Sequence, residues 1–444
     1  MSTDDTIFAL STGFVKSGIG VIRISGKSVK LALSLVCDYE NPVANYAKPC
    51  PIKDIKTGEI IDKGLVLYFE APKSYTGEDV AELHLHGSRA VISNVLEILN
   101  NIEGLRSAER GEFTKRAVIN GKMDLTSAEG INDLINAETN EQRKQALRQM
   151  SGELADLYEN WQNRLKRLLA HLEAYIDFPE EDIPNDLENT STHEINAVLE
   201  EIKKHLADNH KGEILRQGYS IAIIGAPNAG KSSLLNKIVK RDAAIVSSIA
   251  GTTRDIIEVF LDLDGFPVIL ADTAGLREAK DVIEEEGIKR ALKRAASANL
   301  KLAVFDGAKY PEMDKETLSL CDKNTLKIIN KSDLLGNHNV ITKENDVILT
   351  NSLTGKGLDA VLDAIKKRVS DELSLKENPA LTQIRHRESL TECAEALSRA
   401  LTAPQTDLKT EDLRLASRAL GKITGQITVD EVLDIVFKEF CIGK

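Results

Sequence analysis

The chain has 444 residues, too many for one hydrophobic core; at roughly 150 residues per domain it predicts about three. Hydrophobic residues make up 42% and charged residues 28%, enough apolar surface to fold, which excludes a disordered or collagen-like polymer. Lys and Arg number 57 against 69 Asp and Glu, a net charge of -12, which excludes a non-specific nucleic-acid coat but leaves room for a local basic site.

Residues 1 to about 120 mix short strand-like runs, VIRIS at 21–25, LVLYF at 65–69 and AELHL at 81–85, with a helical stretch near Ala90–Asn100. That mixture predicts an α+β domain. From Thr126, which pairs with Glu129 as a capping box, apolar residues recur at helical spacing through Leu147, Met150, Leu154, Leu157, Trp161, Leu165, Leu168, Leu172 and Ile176. The pattern predicts one long amphipathic helix ending near Pro179. The acidic stretch Asp177–Asp186, with Pro179 and Pro184, reads as a connection. Ser191 and Glu194 then cap a helix whose face is Ile195, Val198, Leu199, Ile202 and Leu206.

After about Gln217 the texture changes. The apolar runs SIAIIG, PVILAD, LKLAVFDG, LKIIN and DVILT alternate with helical segments up to about Asp371, which predicts a parallel sheet covered by helices on both faces. Helical spacing returns beyond Pro379, with Thr428 and Glu431 capping a last helix that ends in Phe440. The expected order is residues 1–121, an α+β domain; 122–216, the first part of a helical domain; 217–373, an inserted α/β domain; and 374–444, the second helical part. Cys37, Cys50, Cys321, Cys393 and Cys441 are widely spaced and form no C-x-x-C pair, so neither a disulfide framework nor a zinc knuckle is indicated. With no apolar run near the roughly 18 residues of a membrane span, and with Asp4 and Asp5 where a secretory signal would be basic, a cytoplasmic protein is expected.

The strand SIAIIG runs into Gly225-Ala226-Pro227-Asn228-Ala229-Gly230-Lys231-Ser232, a G-x-x-x-x-G-K-[ST] loop followed by a helix from Ser233. Glycines let backbone N–H groups wrap phosphates, Lys231 carries charge to the outer phosphates, and the Ser232 hydroxyl suits Mg2+. Asn330-Lys331-Ser332-Asp333 follows LKIIN, and Asp333 could accept two hydrogen bonds from a guanine edge where adenine presents an acceptor. Asp272-Thr273-Ala274-Gly275 closes PVILAD; Asp272 would hold the Mg2+ shell through water, and Gly275 would offer its N–H to the γ-phosphate. In this order the three motifs resemble those of translation-factor-related GTPases. Where Ras-like enzymes carry a water-orienting Gln after the third motif, this chain has Leu276, so either hydrolysis is very slow or another group supplies the geometry and positive charge. Arg254, Arg277 and the acidic turn Glu284-Glu285-Glu286 are candidates. The last guanine loop reads Asn351-Ser352-Leu353-Thr354-Gly355 where Ser-Ala-Lys is usual.

The segments APNAGKSS, AGTTRD, DTAGLREA, NKSD, SYTGEDV, RGEFTKRA and the terminal FCIGK together resemble the TrmE (MnmE) family of tRNA uridine modification GTPases over essentially the full length. The resemblance implies GTP hydrolysis activated by K+ that is bound when two G domains meet. It places K+ at Asn228, Ser247, Ile249 and Thr252, Mg2+ at Ser232 and Thr253, and the water-orienting carboxylate at Glu284. The GTP contacts it implies are Asn228, Ala229, Gly230, Lys231, Ser232 and Ser233; the switch residues Ser247, Ser248, Ile249, Ala250, Gly251, Thr252 and Thr253; Asp272, Thr273, Ala274 and Gly275; and Asn330, Lys331 and Asp333. A monovalent cation against the β- and γ-phosphates would stabilise charge in a loose transition state.

The same resemblance makes the first domain a homodimerising binder of a tetrahydrofolate derivative, 5-formyl- or methylene-tetrahydrofolate, with contacts at Arg23, Glu82, Lys122 and Lys444. A carboxylate suits pterin N–H groups and cations suit a glutamate tail. Cys441 would serve the modification step. His84 and His86 lie two apart on a strand with no third metal ligand at sensible spacing. The implied activity is a homodimeric GTP hydrolase that joins an FAD-dependent partner, MnmG, in a heterotetramer and adds a (carboxymethyl)aminomethyl group to carbon 5 of the wobble uridine of certain tRNAs. The alternative is a GTP-dependent ribosome-assembly or recruitment switch without modification chemistry, which would have no need of Arg23, Glu82, Lys122 and Cys441.

Overall fold

Strands near the N-terminus alternate side chains between two faces, and the computed structural model folds them into a six-stranded sheet. It describes residues 5–177, 187–241, 258–272, 293, 295–335, 347–374, 379–426 and 430–444. The strands are β1 (Thr6–Leu10), β2 (Ser17–Ser25), β3 (Lys48–Lys53), β4 (Ile60–Phe69), β5 (Val80–Gly87) and β6 (Leu105–Ser107), in the order β3-β4-β5-β2-β1-β6. Neighbours are antiparallel except β1 and β6. Ile22, Ile24, Leu83 and Leu85 form a core with Val29, Leu33 and Val36 of α1 (Val29–Cys37) and Ile92, Val95 and Leu99 of α2 (Arg89–Asn100). Ser88 caps α2 by accepting a hydrogen bond from the Val91 N–H at 3.2 Å. Strand β3 was illegible in the sequence because Pro49 and Pro51 argue against a strand; they are tolerated because β3 is an edge, where a missing N–H costs no ladder bond.

After α3 (Glu112–Ile119), the single long helix expected from Thr126 to Ile176 is three helices: α4 (Leu125–Asn136), α5 (Asn140–Met150) and α6 (Glu153–Asp177). Two local devices break it. Thr139 and Gln142 form a capping box, with the Thr139 N–H donating to Gln142 Oε1 at 3.1 Å, and this starts α5. Gly152, at φ +93°, turns the chain between α5 and α6. The apolar spacing of Leu147, Met150 and Leu154 runs on across the second turn, whereas the first lies in the wholly polar run 138–145. Nor is Thr126 the cap of α4; the Asp124 carboxylate accepts from the N–H groups of Thr126 and Ser127 at 2.8 and 3.0 Å. Helix α7 (Leu187–Leu206) begins before Ser191, so Ser191 lies inside it rather than at its cap. Pro179 and Pro184 lie outside the described residues.

Helix α8 (Lys211–Gln217) leads into the second sheet, with β7 (Tyr219–Ile224), β8 (Glu258–Leu263), β9 (Phe266–Asp272), β10 (Leu300–Asp306), β11 (Thr325–Asn330) and β12 (Val347–Leu349). Its order is β12-β11-β10-β7-β9-β8. It is parallel apart from β8, an antiparallel edge that the sequence reading did not include. Helices α9 (Lys231–Arg241), α10 (Lys315–Ser319) and α11 (Leu358–Leu373) accompany it. Ile221, Ile223, Leu302 and Ile328 join one core, while Ala222, Ile224, Ala303 and Ile329 join another. Burial on both faces is why these strands read as continuous apolar runs.

The chain then returns to helix with α12 (Ile384–Thr402), α13 (Thr406–Thr424) and α14 (Asp430–Lys438). Thr428, expected to cap the last helix, lies outside the described residues. Trp161 and Tyr158 of α6 are buried, and the Trp161 indole N–H donates to Glu201 of α7 at 2.7 Å. The architecture is thus an α+β N-terminal part, a helical part drawn from two chain segments, and an inserted parallel α/β part. By compactness the chain forms two units, Met1–Asn132 with Arg148–Glu201 and Ser389–Lys444, and Asp133–Leu147 with Ile202–Glu388. Among the described residues no helix is long and apolar enough to cross a membrane.

Helix α4 meets the end of α5 at Gly130, where an added Cβ would lie 2.6 Å from the Met150 backbone N. Gly130→Ala is expected to destabilise the protein by about 1–3 kcal/mol, the usual cost of overpacking. A lowered midpoint of urea unfolding checks this, and an unchanged midpoint would refute the close approach.

Candidate functional site

The loop after β7 bends sharply because its residues adopt backbone conformations that a Cβ would block. Gly225 lies at φ +153°, and a Cβ there would come 2.4 Å from the Val304 carbonyl oxygen. Gly230, at φ +97°, would place a Cβ 2.1 Å from Asn330 Nδ2. Asn228 between them has φ +64°, and α9 starts at Lys231 with its N–H groups turned toward the loop. The Lys231 ammonium is 7% exposed and donates to the carbonyl oxygens of Gly225 and Ala226 at 2.7 and 3.0 Å. Ser232 and Ser233 are exposed, whereas Ala229 is buried.

Asn330, at the end of β11 and buried, ties this loop to two others. Its Nδ2 donates to the Ala229 carbonyl oxygen at 2.9 Å. Its Oδ1 accepts from the Ser352 N–H at 2.9 Å, the Ser352 hydroxyl at 2.8 Å and the Thr350 hydroxyl at 3.4 Å. Lys331 follows in a left-handed conformation at φ +56°, and its ammonium donates to Asp306 at 2.6 Å. Burial pushes the Asp306 carboxyl upward, but the Lys331 ammonium and the Ala308 N–H outweigh it and hold the carboxyl below the usual range. Asp333 sits on the short helical turn Ser332–Leu334 and accepts a hydrogen bond from Asn351 Nδ2 at 2.7 Å.

These loops enclose a cleft of about 460 Å³ lined by Asn228, Gly230, Lys231, Ser232, Ser233, Asn330, Lys331, Asp333, Asn351, Ser352 and Leu353, among others. Three segments far apart in the chain therefore open on one space. Leu353 at its rim is 81% exposed. The backbone of Asp272 pairs in parallel register with Ile223, two residues before Gly225. Ser247, Ser248, Ile249, Ala250, Gly251, Thr252, Thr253, Arg254, Thr273, Ala274, Gly275, Leu276, Arg277 and Glu284 lie outside the described residues. Sequence reasoning missed the bracing role of Ser352 and the ion pair of Lys331 with Asp306, neither of which has a local sequence signal.

A second cluster lies on the N-terminal sheet. Arg23 of β2 stands opposite Glu82 of β5, and its Nε and terminal nitrogen donate to Glu82 Oε1 at 3.1 and 2.9 Å. The guanidinium lies over the rings of Tyr75 and Phe113, with its centre 5.3 and 5.7 Å from their centroids. Glu82 Oε2 meets His84 Nε2 at 3.2 Å, and His86 Nδ1 meets Asp62 at 2.8 Å. Each histidine thus faces its own carboxylate. Lys122 is exposed and donates to the Pro72 carbonyl oxygen at 2.9 Å.

The C-terminal tail is pinned to this part of the molecule. The Gly111 N–H donates to the Cys441 carbonyl oxygen at 3.3 Å, Ile442 bridges Arg110, and the Ser11 hydroxyl donates to the Gly443 carbonyl oxygen at 3.0 Å. Gly443 has φ +93°, and a Cβ there would come 2.2 Å from the Leu10 carbonyl oxygen. Cys441 is exposed and Lys444 half-buried. Phe113, two residues beyond Gly111, carries one of the rings under Arg23, so one segment touches both the tail and the arginine.

The family model for the MnmE helical domain matches residues 125–441, and that for the N-terminus of the GTP-binding protein TrmE matches residues 6–122. The chain belongs to the MnmE family. The tRNA modification GTPase MnmE of Rhodospirillum rubrum is 48% identical and covers 100% of both chains. That of Paramagnetospirillum magneticum is 49% identical over 99% of this chain and 100% of its own. Among solved structures, Era from Aquifex aeolicus is similar over 40% of this chain and 66% of its own, at 24% identity and a TM-score of 0.28.

In this member of the MnmE family the frame around the cleft hangs on one amide. Asn330→Ala is expected to leave the Ala229 carbonyl and the Ser352 N–H without their buried partner and to cost about 1–3 kcal/mol. The thermal midpoint should fall, and a variant melting with the wild type would refute the bracing role.

Proposed function

We propose that the chain binds and hydrolyses GTP in this cleft and uses the cycle to modify carbon 5 of the wobble uridine of certain tRNAs, together with the FAD-dependent partner MnmG. The observation that carries the reading is the Asn330 brace, which sets the phosphate loop and the base-reading turn at one cleft in a chain of the MnmE family. Lys231 would exchange the carbonyls of Gly225 and Ala226 for outer phosphate oxygens, a charge-assisted gain. Asp333 would accept from the guanine edge.

Two cations suit the oxygen-bearing side chains that line the cleft. Hard cations take oxygen ligands, and the exposed Ser232 and Asn228 both present side-chain oxygen to the cleft. Ser232 with Thr253 would hold Mg2+, and Asn228 with Ser247, Ile249 and Thr252 would hold K+. When bound, the two cations supply positive charge against phosphate oxygens. Leu276 has no polar atom with which to orient water, and Glu284 takes that role in this reading. Pairing of two G domains would complete the K+ site.

In the N-terminal domain the Arg23–Glu82 pair beside two aromatic rings suits a planar heterocycle with N–H donors, here a tetrahydrofolate derivative. Lys122 and Lys444 would meet its carboxylates, and the pinned tail would present Cys441 for the modification step. The corresponding domains are 1–121, 122–216, 217–373 and 374–444, in a cytoplasmic homodimer that assembles with MnmG as a heterotetramer.

Replacing Na+ by K+ is expected to raise the GTPase rate at least about tenfold, the return for roughly 1.4 kcal/mol of transition-state stabilisation; equal rates in both salts would remove the cation from the scheme. In cells whose only copy carries Cys441→Ser, wobble-uridine modification is expected to disappear from the tRNA nucleoside profile while the purified variant still hydrolyses GTP. A wild-type profile would reduce the thiol to a bystander.

A further inference from the structure

In a chain of net charge -12 a basic site needs acidic residues to be locally absent, and two segments meet that condition. From Thr6 to Cys37 the chain carries Lys16, Arg23, Lys27 and Lys30 with no Asp or Glu, and from Leu83 to Leu96 it carries Arg89 with none. The fold brings the two segments together. Ser17 of β2 pairs with Gly87 of β5, where an added Cβ would lie 2.2 Å from Ser17 Oγ. Thr12, Phe14, Ser17, Ser88 and Arg89 consequently line one small cleft at the start of α2. The first turn of that helix has no acidic residue, so its positive end is not offset there.

The loop between β1 and β2 is held in shape and still exposes an apolar tip. The Ser11 N–H donates to the Val21 carbonyl oxygen at 2.8 Å, the Val21 N–H to the Thr12 hydroxyl at 3.2 Å, and the Val15 N–H to the Gly13 carbonyl oxygen at 2.8 Å. Phe14 is nevertheless 52% exposed and Val15 67%. The Arg89 guanidinium lies over the Phe14 ring, 5.9 Å from its centroid. Arg89 and Lys16 are both exposed, and among the described residues neither has an ion-pair partner. A ring flanked by cations that no carboxylate neutralises suits an unpaired nucleobase with its phosphates: the base stacks on the ring or the guanidinium plane, and phosphate oxygens meet the charges. The same loop reaches the C-terminal tail. Ser11 donates to the Gly443 carbonyl oxygen at 3.0 Å, so the patch adjoins the segment that carries the exposed Cys441.

We propose that the Phe14 loop, with Lys16 and Arg89, is the surface that receives the single-stranded anticodon loop of the tRNA. An unpaired base stacks on Phe14, and the phosphates beside it are held by Lys16 and Arg89, next to the Cys441 tail. The inference rests on the tRNA reading of the proposed function and adds to it a place of contact.

The test is binding of the full-length protein to a fluorescent anticodon stem-loop RNA with uridine at the wobble position, read by anisotropy over a range of KCl concentrations. Phe14→Ala should weaken binding about tenfold, the loss of one stacked base, and leave the salt dependence unchanged. Phe14→Trp, which keeps a stacking face, should bind at least as tightly as the wild type. The Lys16→Ala/Arg89→Ala double variant should flatten the slope of log K against log salt by about 1.4, at about 0.7 per phosphate contact on a single strand. GTP hydrolysis at the wild-type rate shows that each variant has folded; should Phe14→Ala fail to fold, the double variant decides alone. Wild-type affinity in Phe14→Ala, an unchanged slope in the double variant, or Phe14→Trp binding as weakly as Phe14→Ala would each overturn the proposal, as would a wild type that does not bind the stem-loop. Variants that bind RNA normally but sediment as monomers where the wild type is a dimer would overturn it too, and would make the patch a contact between copies of the chain. Failure of the underlying reading is distinct, because cells lacking the protein would then keep an unaltered wobble-uridine profile.

Discussion

One buried amide organises the nucleotide end of this molecule. Asn330 ends β11, next to the edge strand β12, donates into the loop after β7 at Ala229 and accepts from the loop after β12 at Ser352. A polar group with four bonds in an apolar interior has no competing partner, so its geometry is strongly determined. Gly230 is the counterpart of that amide, since a side chain there would collide with Asn330 Nδ2. The loop after β7 and the loop after β12 are therefore joined through one buried side chain.

The N-terminal sheet solves a similar problem with charge. Arg23 is held by Glu82 and by two ring faces, and Phe113 follows directly on Glu112, which is bonded to Arg106 at 2.6 Å and to Arg116 at 3.0 Å. Burial raises the Glu112 carboxyl, but the Arg106 guanidinium, the Glu109 N–H and Arg116 outweigh it and leave it below its ordinary range. Arg116 also meets Glu78, whose other bond is to Ser25 on β2. The start of α3, with Gly111 just before it, is thus tied into the sheet by the ion pairs of Glu112 and the buried Arg116, and the C-terminal tail is laid against Gly111.

Much of this was legible in the sequence. The glycine loop after β7 could be read because glycine spacing, Lys231 and the strand–helix setting are all local; strands β2, β4 and β5 of the first sheet and β7, β9, β10, β11 and β12 of the second were read as apolar runs, whereas β1, β3, β6 and β8 were not. What escaped was either masked by context or non-local. The turn at Gly152 was hidden because the apolar spacing of Leu147, Met150 and Leu154 ran on through it. Strand β3 went unread, since Pro49 and Pro51 suit a strand only at an edge, and edge position is a property of the whole sheet. The pairings of Asn351 with Asp333, Lys331 with Asp306 and Tyr75 with Arg23 join residues 18, 25 and 52 positions apart, which no local pattern announces.

Inserting an α/β part into a helical one places a geometric demand on its two connections. The entering segment supplies Leu206, Asp208 and Glu213, and the leaving segment supplies Arg387, which donates to the Leu206 carbonyl at 2.8 Å and to Asp208 and Glu213 at 2.7 Å each. Asp133 adds a third segment through Arg216 at 2.7 Å. All of these residues belong to the compact unit that contains the nucleotide cleft, so that unit carries its own collar. The chain passes between the two units at 132/133, 147/148, 201/202 and 388/389, and those points lie inside α4, α5, α7 and α12 respectively. Within the nucleotide unit the entering and leaving segments are therefore fixed to each other by charge-assisted hydrogen bonds on Arg387.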